Sequence, residues 1–323
     1  MVLMVLMCGV MGCGREPAAG VPDADGVTKV KVTLNWVPEP EFGGIYAAQQ
    51  SGKFAAEKLD VQIMPGGAGA PTWQMVAAGQ AEFGIASGDE VVIARSRGAD
   101  VVALFATYQT CPQAIMVHQE RGMKQLADVF AGGGTLALEK GLGYTRYLEK
   151  KYGFGSVKLV PYDGGITAFL ADANYSQQCF VTSEPLAARR QGAKVRVFLV
   201  ADSGYNPYTA VLIARGEYVR KNRPVVQAMV RGLRAGWAAY LADPAPANQA
   251  MAQLNRTMEK ATIMQTFAQA AEAQRTLVAP AGARSEDLGK MTLTRWKELA
   301  GQMLELGVIE KAVAAEACFE GNL

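Results

Sequence analysis

From Lys29 onward the apolar positions switch between two periods. Val30-Lys31-Val32-Thr33-Leu34 alternates apolar with polar side chains and predicts a strand. Residues 44–59 carry Ile45, Ala48 and Phe54 on one side and predict a single helix. The exchange repeats, with strands at 61–64, 81–86 and 101–106 and helices at 71–78 and 89–97 between them. A second series follows, with strands at 114–117, 134–138, 158–161, 179–182 and 195–200 and helices near 124–130, 142–151, 166–171 and 184–191. After a strand at 209–214 the pattern is helical alone: 224–241, 245–255, 261–272 and 292–305, with Pro224 suited to a first helical turn. Strands alternating with helices indicate an α/β fold of βαβ units around parallel sheets. Two such series followed by helices predict two lobes, residues 29–108 with 209–323 and residues 109–208, joined by crossings near 107–112 and 202–209. A cleft between lobes is where small ligands preferentially bind.

Residues 1–12 carry no charge and are almost wholly apolar, too short for a bilayer span of roughly 20 residues but suited to the apolar stretch of a secretory signal. No positive residue precedes this run. Val10-Met11-Gly12-Cys13 resembles a bacterial lipobox, so residues 1–12 are expected to be a signal peptide and Cys13 a lipidated mature N-terminus. Residues 13–28, with Pro17, Pro22, Asp23 and Asp25, read as a flexible tether.

Composition narrows the chemistry. Half of the 323 residues are hydrophobic, which is ample for packed cores, and 32 basic residues stand against 30 acidic ones, net +2. No strong field draws this chain to nucleic acid. His118 is the single histidine, which disfavours His-rich metal sites, Ser-His-Asp triads and Cys-His pairs. Cys8, Cys13, Cys111, Cys179 and Cys318 lack C-x-x-C spacing, so no zinc knuckle or redox dithiol is expected. Neither a metal nor a cofactor is expected.

The stretch Thr33-Leu34-Asn35-Trp36-Val37-Pro38-Glu39-Pro40-Glu41-Phe42-Gly43-Gly44-Ile45-Tyr46-Ala47-Ala48, then Gly52-Lys53-Phe54 and Leu59-Asp60-Val61, resembles the opening of the NMT1/THI5-like family of substrate-binding proteins. Pro65-Gly66-Gly67, residues 76–85, Ala94-Arg95 with Gly98, Val101-Val102-Ala103 and Phe180-Val181-Thr182-Ser183-Glu184-Pro185 agree with it in order. The resemblance implies a two-lobed type II periplasmic-binding-protein fold with a hinge, here with a C-terminal helical extension. It also implies capture of a small molecule for an ABC permease and its ATPase, and no catalysis. Such a receptor is expected to be a monomer on the periplasmic or outer cell-surface face, its lobes closing by a hinge motion.

Candidate ligand contacts follow from the loops. Trp36 ends the first strand before Pro38 and Pro40, at the carboxyl edge of a sheet, where it can stack on a flat ligand. The resemblance adds Tyr46. Ser87-Gly88-Asp89 opens a helix after a strand, so Ser87 and Asp89 either face the cleft or cap the helix. Gly143 and Tyr144 form the facing turn, and Tyr108, Gln109, Tyr205, Asn206 and Tyr208 line the crossings. Glu184, at a helix start, suits an amino group or protonated ring, or else complements the helix dipole. These loops lack Arg and Lys, with Lys140 the nearby cation. A flat, uncharged or amine-bearing nitrogen heterocycle is therefore favoured, such as a thiamine-pyrimidine precursor or a flavin-like ring. A sulfonate, taurine or nitrate stays open, because helix N-termini alone can hold an anion. Fungal relatives instead synthesise the thiamine pyrimidine from pyridoxal phosphate with a cysteine-rich segment and a donor histidine. Here the corresponding stretch, Gln177-Gln178-Cys179-Phe180, has one cysteine, and His118 lies in a strand.

Overall fold

The computed structural model describes residues 22–67, 69–321 and 323. The expected signal segment and Cys13 lie outside the described residues.

The first series comprises β1 (Thr28–Thr33), α1 (Gly43–Gln50), α2 (Lys53–Ala56), β2 (Leu59–Met64), α3 (Thr72–Ala77), β3 (Phe83–Ala86), α4 (Gly88–Ser96) and β4 (Val101–Tyr108). The second comprises β5 (Gln113–His118), α5 (Leu126–Ala131), β6 (Thr135–Leu138), α6 (Gly143–Tyr152), β7 (Lys158–Pro161), α7 (Thr167–Ala171), β8 (Tyr175–Phe180), α8 (Glu184–Arg190) and β9 (Val195–Leu199). The chain closes with β10 (Thr209–Arg215), α9 (Gly216–Lys221), α10 (Arg223–Ala242), α11 (Ala245–Leu254), α12 (Ile263–Val278) and α13 (Leu293–Glu305). The helix expected over 44–59 is two helices, because Gly52 takes the left-handed conformation with φ 68° and breaks the turn. The strand expected at 179–182 runs earlier, as Tyr175–Phe180, its buried polar residues Ser176, Gln177 and Gln178 having masked the pattern.

Two five-stranded sheets result, ordered β2-β1-β3-β10-β4 and β7-β6-β8-β5-β9. Neither is the all-parallel sheet expected from alternating elements. β10 runs antiparallel to β3 and β4, and β5 runs antiparallel to β8 and β9. These two strands are the ones entered directly after a crossing: the chain leaves β4 for β5 in the second sheet and leaves β9 for β10 in the first. A strand reached that way arrives from the other sheet's side, a direction that the apolar pattern does not encode.

The closing helices pack back on the first sheet's side. α10 lies against α1 and α2, with Trp237 and Tyr240 meeting edge to face at 5.6 Å in the core. The tail seals the open edge of β4: Ala103 N–H donates to Cys318 O at 2.8 Å, Glu320 N–H to Ala103 O at 2.9 Å, and Ala106 N–H to Gly289 O at 3.0 Å. α12 bridges the 3-10 turn Pro40–Phe42, β4 and α8. Its Gln274, fully buried, donates to Pro40 O at 2.9 Å and accepts from Tyr108 Oη at 2.6 Å. That pair fixes the loop after β1 against the crossing. Among the described residues no helix is long and apolar enough to cross a membrane.

Candidate functional site

Because β1 runs parallel to β3, the loops after them leave one edge of the first sheet; because β6 runs parallel to β7 and β8, the loops after these three share one edge of the second. The carboxyl ends of parallel strands are where α/β sheets bind ligands. The two edges face each other. A Cβ on Gly143, at the start of α6, would collide with Tyr205 Oη and lie 3.2 Å from Asp89 Oδ2 of the first sheet's α4 turn. Only glycine fits that approach.

The charge of Glu184, at the start of α8, acts on two carboxylates in the loop after β1. Glu39 and Glu41 flank Pro40 in the loop and 3-10 turn after β1, and Glu184 starts α8. Burial raises the Glu39 pKa to about 8, with the charges of Glu41 and Glu184 adding to the rise and the Trp36 indole opposing it. Burial raises Glu41 to about 7, aided by the Glu184 charge. Glu184 is also raised by burial, against the hydrogen bonds it accepts from Tyr162 Oη at 2.5 Å and from Phe180 N–H at 2.9 Å. Among the described residues no Lys or Arg pairs with any of the three. Trp36 is 39% exposed on one loop and Leu142 38% exposed on the loop before α6, both large apolar side chains left open at the carboxyl edges.

The other expected contacts divide. Ser87 caps α4: its hydroxyl meets Asp89 Oδ1 and lies 3.1 Å from Glu90 Oε2, and its amide donates to Glu90 Oε2 at 2.8 Å. Asp89 also accepts from Glu90 N–H at 3.1 Å and is half-buried beside Gly143. Several hydroxyls expected to face a ligand are engaged inside the protein. Tyr108 is fully buried and gives its proton to Gln274. Tyr144 donates to Gln178 Oε1. Tyr208 Oη accepts from Thr292 N–H at 3.0 Å. Tyr46 is 1% exposed in the first core, its hydroxyl without a partner and pushed up to about 12 by burial. Aromatic rings at these positions carry so much apolar area that packing claims them. Gln109 spends its amide on Ala106 O and Lys290 O, both at 3.1 Å.

Sequence reasoning did not assign Glu39 and Glu41 a role, although both stand in the quoted stretch with Trp36; two acids around a proline in an otherwise apolar loop were the available signal. It also missed a crossing cation. Arg295, from α13, donates to Gln109 O at 2.6 Å, Asn206 O at 3.0 Å and Asn206 Oδ1 at 2.9 Å, with its guanidinium 4.0 Å from the Tyr208 ring centroid. One side chain from the helical tail thus ties both crossings together. His118 stacks on Phe169 at 4.0 Å and bonds Phe169 O at 2.7 Å. Cys111, Cys179 and Cys318 are buried free thiols. A separate concavity of about 550 Å³ lies between α6 and the end of α13, lined by Lys140, Arg146, Phe154 and Glu305. Its edge carries the solvent-exposed Lys150–Glu305 pair, a contact worth little energetically, and it holds none of the unpaired groups.

Comparisons with known proteins agree with this geometry. A riboflavin-binding protein from Chloroflexus aurantiacus is 26% identical over 243 residues, covering 70% of this chain and 67% of its own. A formylaminopyrimidine-binding protein from Halalkalibacterium halodurans is 22% identical over 248 residues, covering 75% and 74%. Among solved structures, the periplasmic aliphatic sulphonate binding protein of Escherichia coli superposes with TM-score 0.65 at 15% identity over 91% of this chain and 94% of its own. A desulfurization enzyme shares the fold at TM-score 0.57 and 13% identity, covering 89% and 95%. Residues 39–247 match the sequence model of the NMT1/THI5-like family. With that match spanning well over half of its length and with two facing five-stranded mixed sheets, this chain belongs to the NMT1/THI5-like family and has the periplasmic-binding-protein fold.

Proposed function

We propose that this chain is the extracytoplasmic solute receptor of an ABC importer. It would hold one small flat nitrogen heterocycle, of the pyrimidine or flavin kind, between its lobes and present it unchanged to a permease and ATPase in the membrane. The observation that carries the reading is the facing of two strand-carboxyl edges at Gly143, Tyr205 and Asp89, with the Trp36 ring open on one of the loops. The names of the riboflavin-binding and formylaminopyrimidine-binding relatives support a flat heterocycle. In this reading residues 29–108 with 209–323 and residues 109–208 are the moving bodies, and Arg295 marks the hinge. The chain acts as a monomer, and Cys13 carries the lipid anchor.

A sulfonate suits this cleft less well, because apart from Lys140 the loops at the two edges bring no Lys or Arg of the kind that usually pairs with an anion. Catalysis has little support in the side chains: His118 is stacked and bonded, and Cys179 is buried with its thiol pushed well up by burial and by the Glu184 charge. Fold likeness to an enzyme does not supply a mechanism. The test is to purify the chain from its native host and identify any co-purified molecule by mass. A heterocycle at one per chain supports the reading. A bound sulfonate or nitrate would redirect it.

A further inference from the structure

We infer that the end of α13 is a catch that holds the two bodies closed: Arg146 and Lys150 of α6 grip Glu305 and the last carbonyls of α13, while Arg295 at the helix's other end is the pivot. The inference goes beyond the receptor reading and rests on its division into two moving bodies.

α13 rides on the first sheet, its Trp296, Leu299 and Met303 buried in one cluster with Val91 and Val92 of α4 and Ala103 of β4. Near its start Arg295 binds Gln109 and Asn206, one from each crossing. The helix then runs about 15 Å from Arg295 to Glu305 and reaches the flank of the other body. There Arg146 Nη1 donates to Gly307 O at 2.9 Å, and Lys150 Nζ donates to Glu305 Oε1 at 2.7 Å and to Glu305 O at 3.3 Å. Gln302 Nε2 adds a bond to Gly204 O, at the foot of the second crossing, at 2.8 Å.

The chemistry suits a contact made across bodies. The carbonyl end of a helix is negative and is stabilised by cations in the last turn, yet α13 carries no basic residue there. The amides of Leu306, Gly307 and Val308 use the carbonyls of Gln302, Leu304 and Met303, with Gly307 at φ 64° closing the turn. The carbonyls of Glu305 and Gly307 are left for α6. Arg146 and Lys150 stand one turn apart on that helix, so a single face presents both. Their bonds are polar and exposed, and the concavity of about 550 Å³ beside them is open space. Contacts of this kind are individually weak and are screened by salt, so this flank parts readily. Opening turns about Arg295 and draws α6 off the end of α13.

The test is small-angle scattering of the full chain without ligand, each profile divided between an open and a closed form, at about 0.05 M and about 0.5 M sodium chloride. The parent is compared with Arg146→Ala/Lys150→Ala, with Lys150→Glu, and with Lys150→Glu/Glu305→Lys. At low salt the double alanine variant should raise the ratio of open to closed form about fivefold while keeping a cooperative melt. High salt should bring the parent toward the same ratio and leave that variant nearly unmoved. Lys150→Glu should open the protein, and adding Glu305→Lys should close it again in part. Two populated forms whose ratio ignores the substitutions and the salt overturn the catch and leave the two bodies standing. Opening by Lys150→Glu that Glu305→Lys does not reverse also overturns it. One unchanging form in every sample overturns the catch and the hinged bodies together.

Discussion

Tyr162 Oη donates to Glu184 Oε1 across 2.5 Å, and the Phe180 amide donates to Oε2 across 2.9 Å, so one carboxylate of the cleft is oriented before any ligand arrives. The phenol opposes the rise that burial imposes on the Glu184 pKa. Tyr162→Phe removes one hydrogen bond to a charged group, a loss of about 2 kcal/mol. Its effect should appear as weaker ligand binding, with the midpoint of the pH dependence of binding moved upward as Glu184 keeps its proton longer. A pH profile identical to the parent's would show that the pair is only structural.

The empty protein should lose stability as pH rises from about 5 to about 8. Glu39 and Glu41 titrate near 8 and 7 when folded against an ordinary 4.5, so the folded chain holds more protons than the unfolded one throughout that window. Stability contributed by the neutral forms is complete below about 4.5 and is lost as pH climbs through the folded values. The groups facing them are Glu184, Tyr108 and Trp36, none of which supplies a positive charge. Carboxylates held low, such as Asp287 at about 2 beside Lys290 and Arg284, act with the opposite sign only at more acid pH. Thermal melts across pH 5 to 8 should fall by several degrees, and Glu41→Gln should flatten the slope. An unchanged slope in that variant would contradict the assignment.

Gly143 and Tyr205 set how closely the two bodies approach. Tyr205 is 1% exposed, and a methyl group on Gly143 would overlap its hydroxyl oxygen. Gly143→Ala should hold the cleft apart and weaken ligand binding by about tenfold, and adding Tyr205→Phe should restore much of it by removing the obstructing oxygen. Small-angle scattering with ligand present reports the failure to close. Additive losses in the double variant would mean that the two residues do not meet in the bound state.

Trp36→Ala should separate binding from stability. The ring is exposed enough that its removal changes unfolding free energy by about 0.5 kcal/mol or less. Ligand affinity should drop about tenfold or more through loss of the stacking face. A large fall in melting temperature with unchanged affinity would place the ring in the packing instead.

Much of the architecture is legible in the chain because period-two and helical runs alternate cleanly, and both sheets have a strand close to each expected position. Strand direction was not, because β5 and β10 look like their neighbours and are reversed only by where the chain comes from. At the site, Trp36 and Glu184 were readable from loop position after a strand. The tyrosines were misleading: Tyr108, Tyr144 and Tyr208 sit at crossings or turns by sequence, yet each ring is buried and each hydroxyl is paired within the protein. Glu39 and Glu41 acquire meaning only against Glu184, more than a hundred residues away, and Arg295 only against the two crossings it joins. Pairings over such separations leave no local pattern.

Native mass spectrometry of the full chain with an equimolar mixture of pyrimidines, flavins and sulfonates tests the central claim most directly, because it weighs the bound molecule before and after release. A receptor gives a single one-to-one adduct, lost in Trp36→Ala and released at its starting mass. No adduct with any compound, or release of a compound with altered mass, would contradict the solute-receptor account.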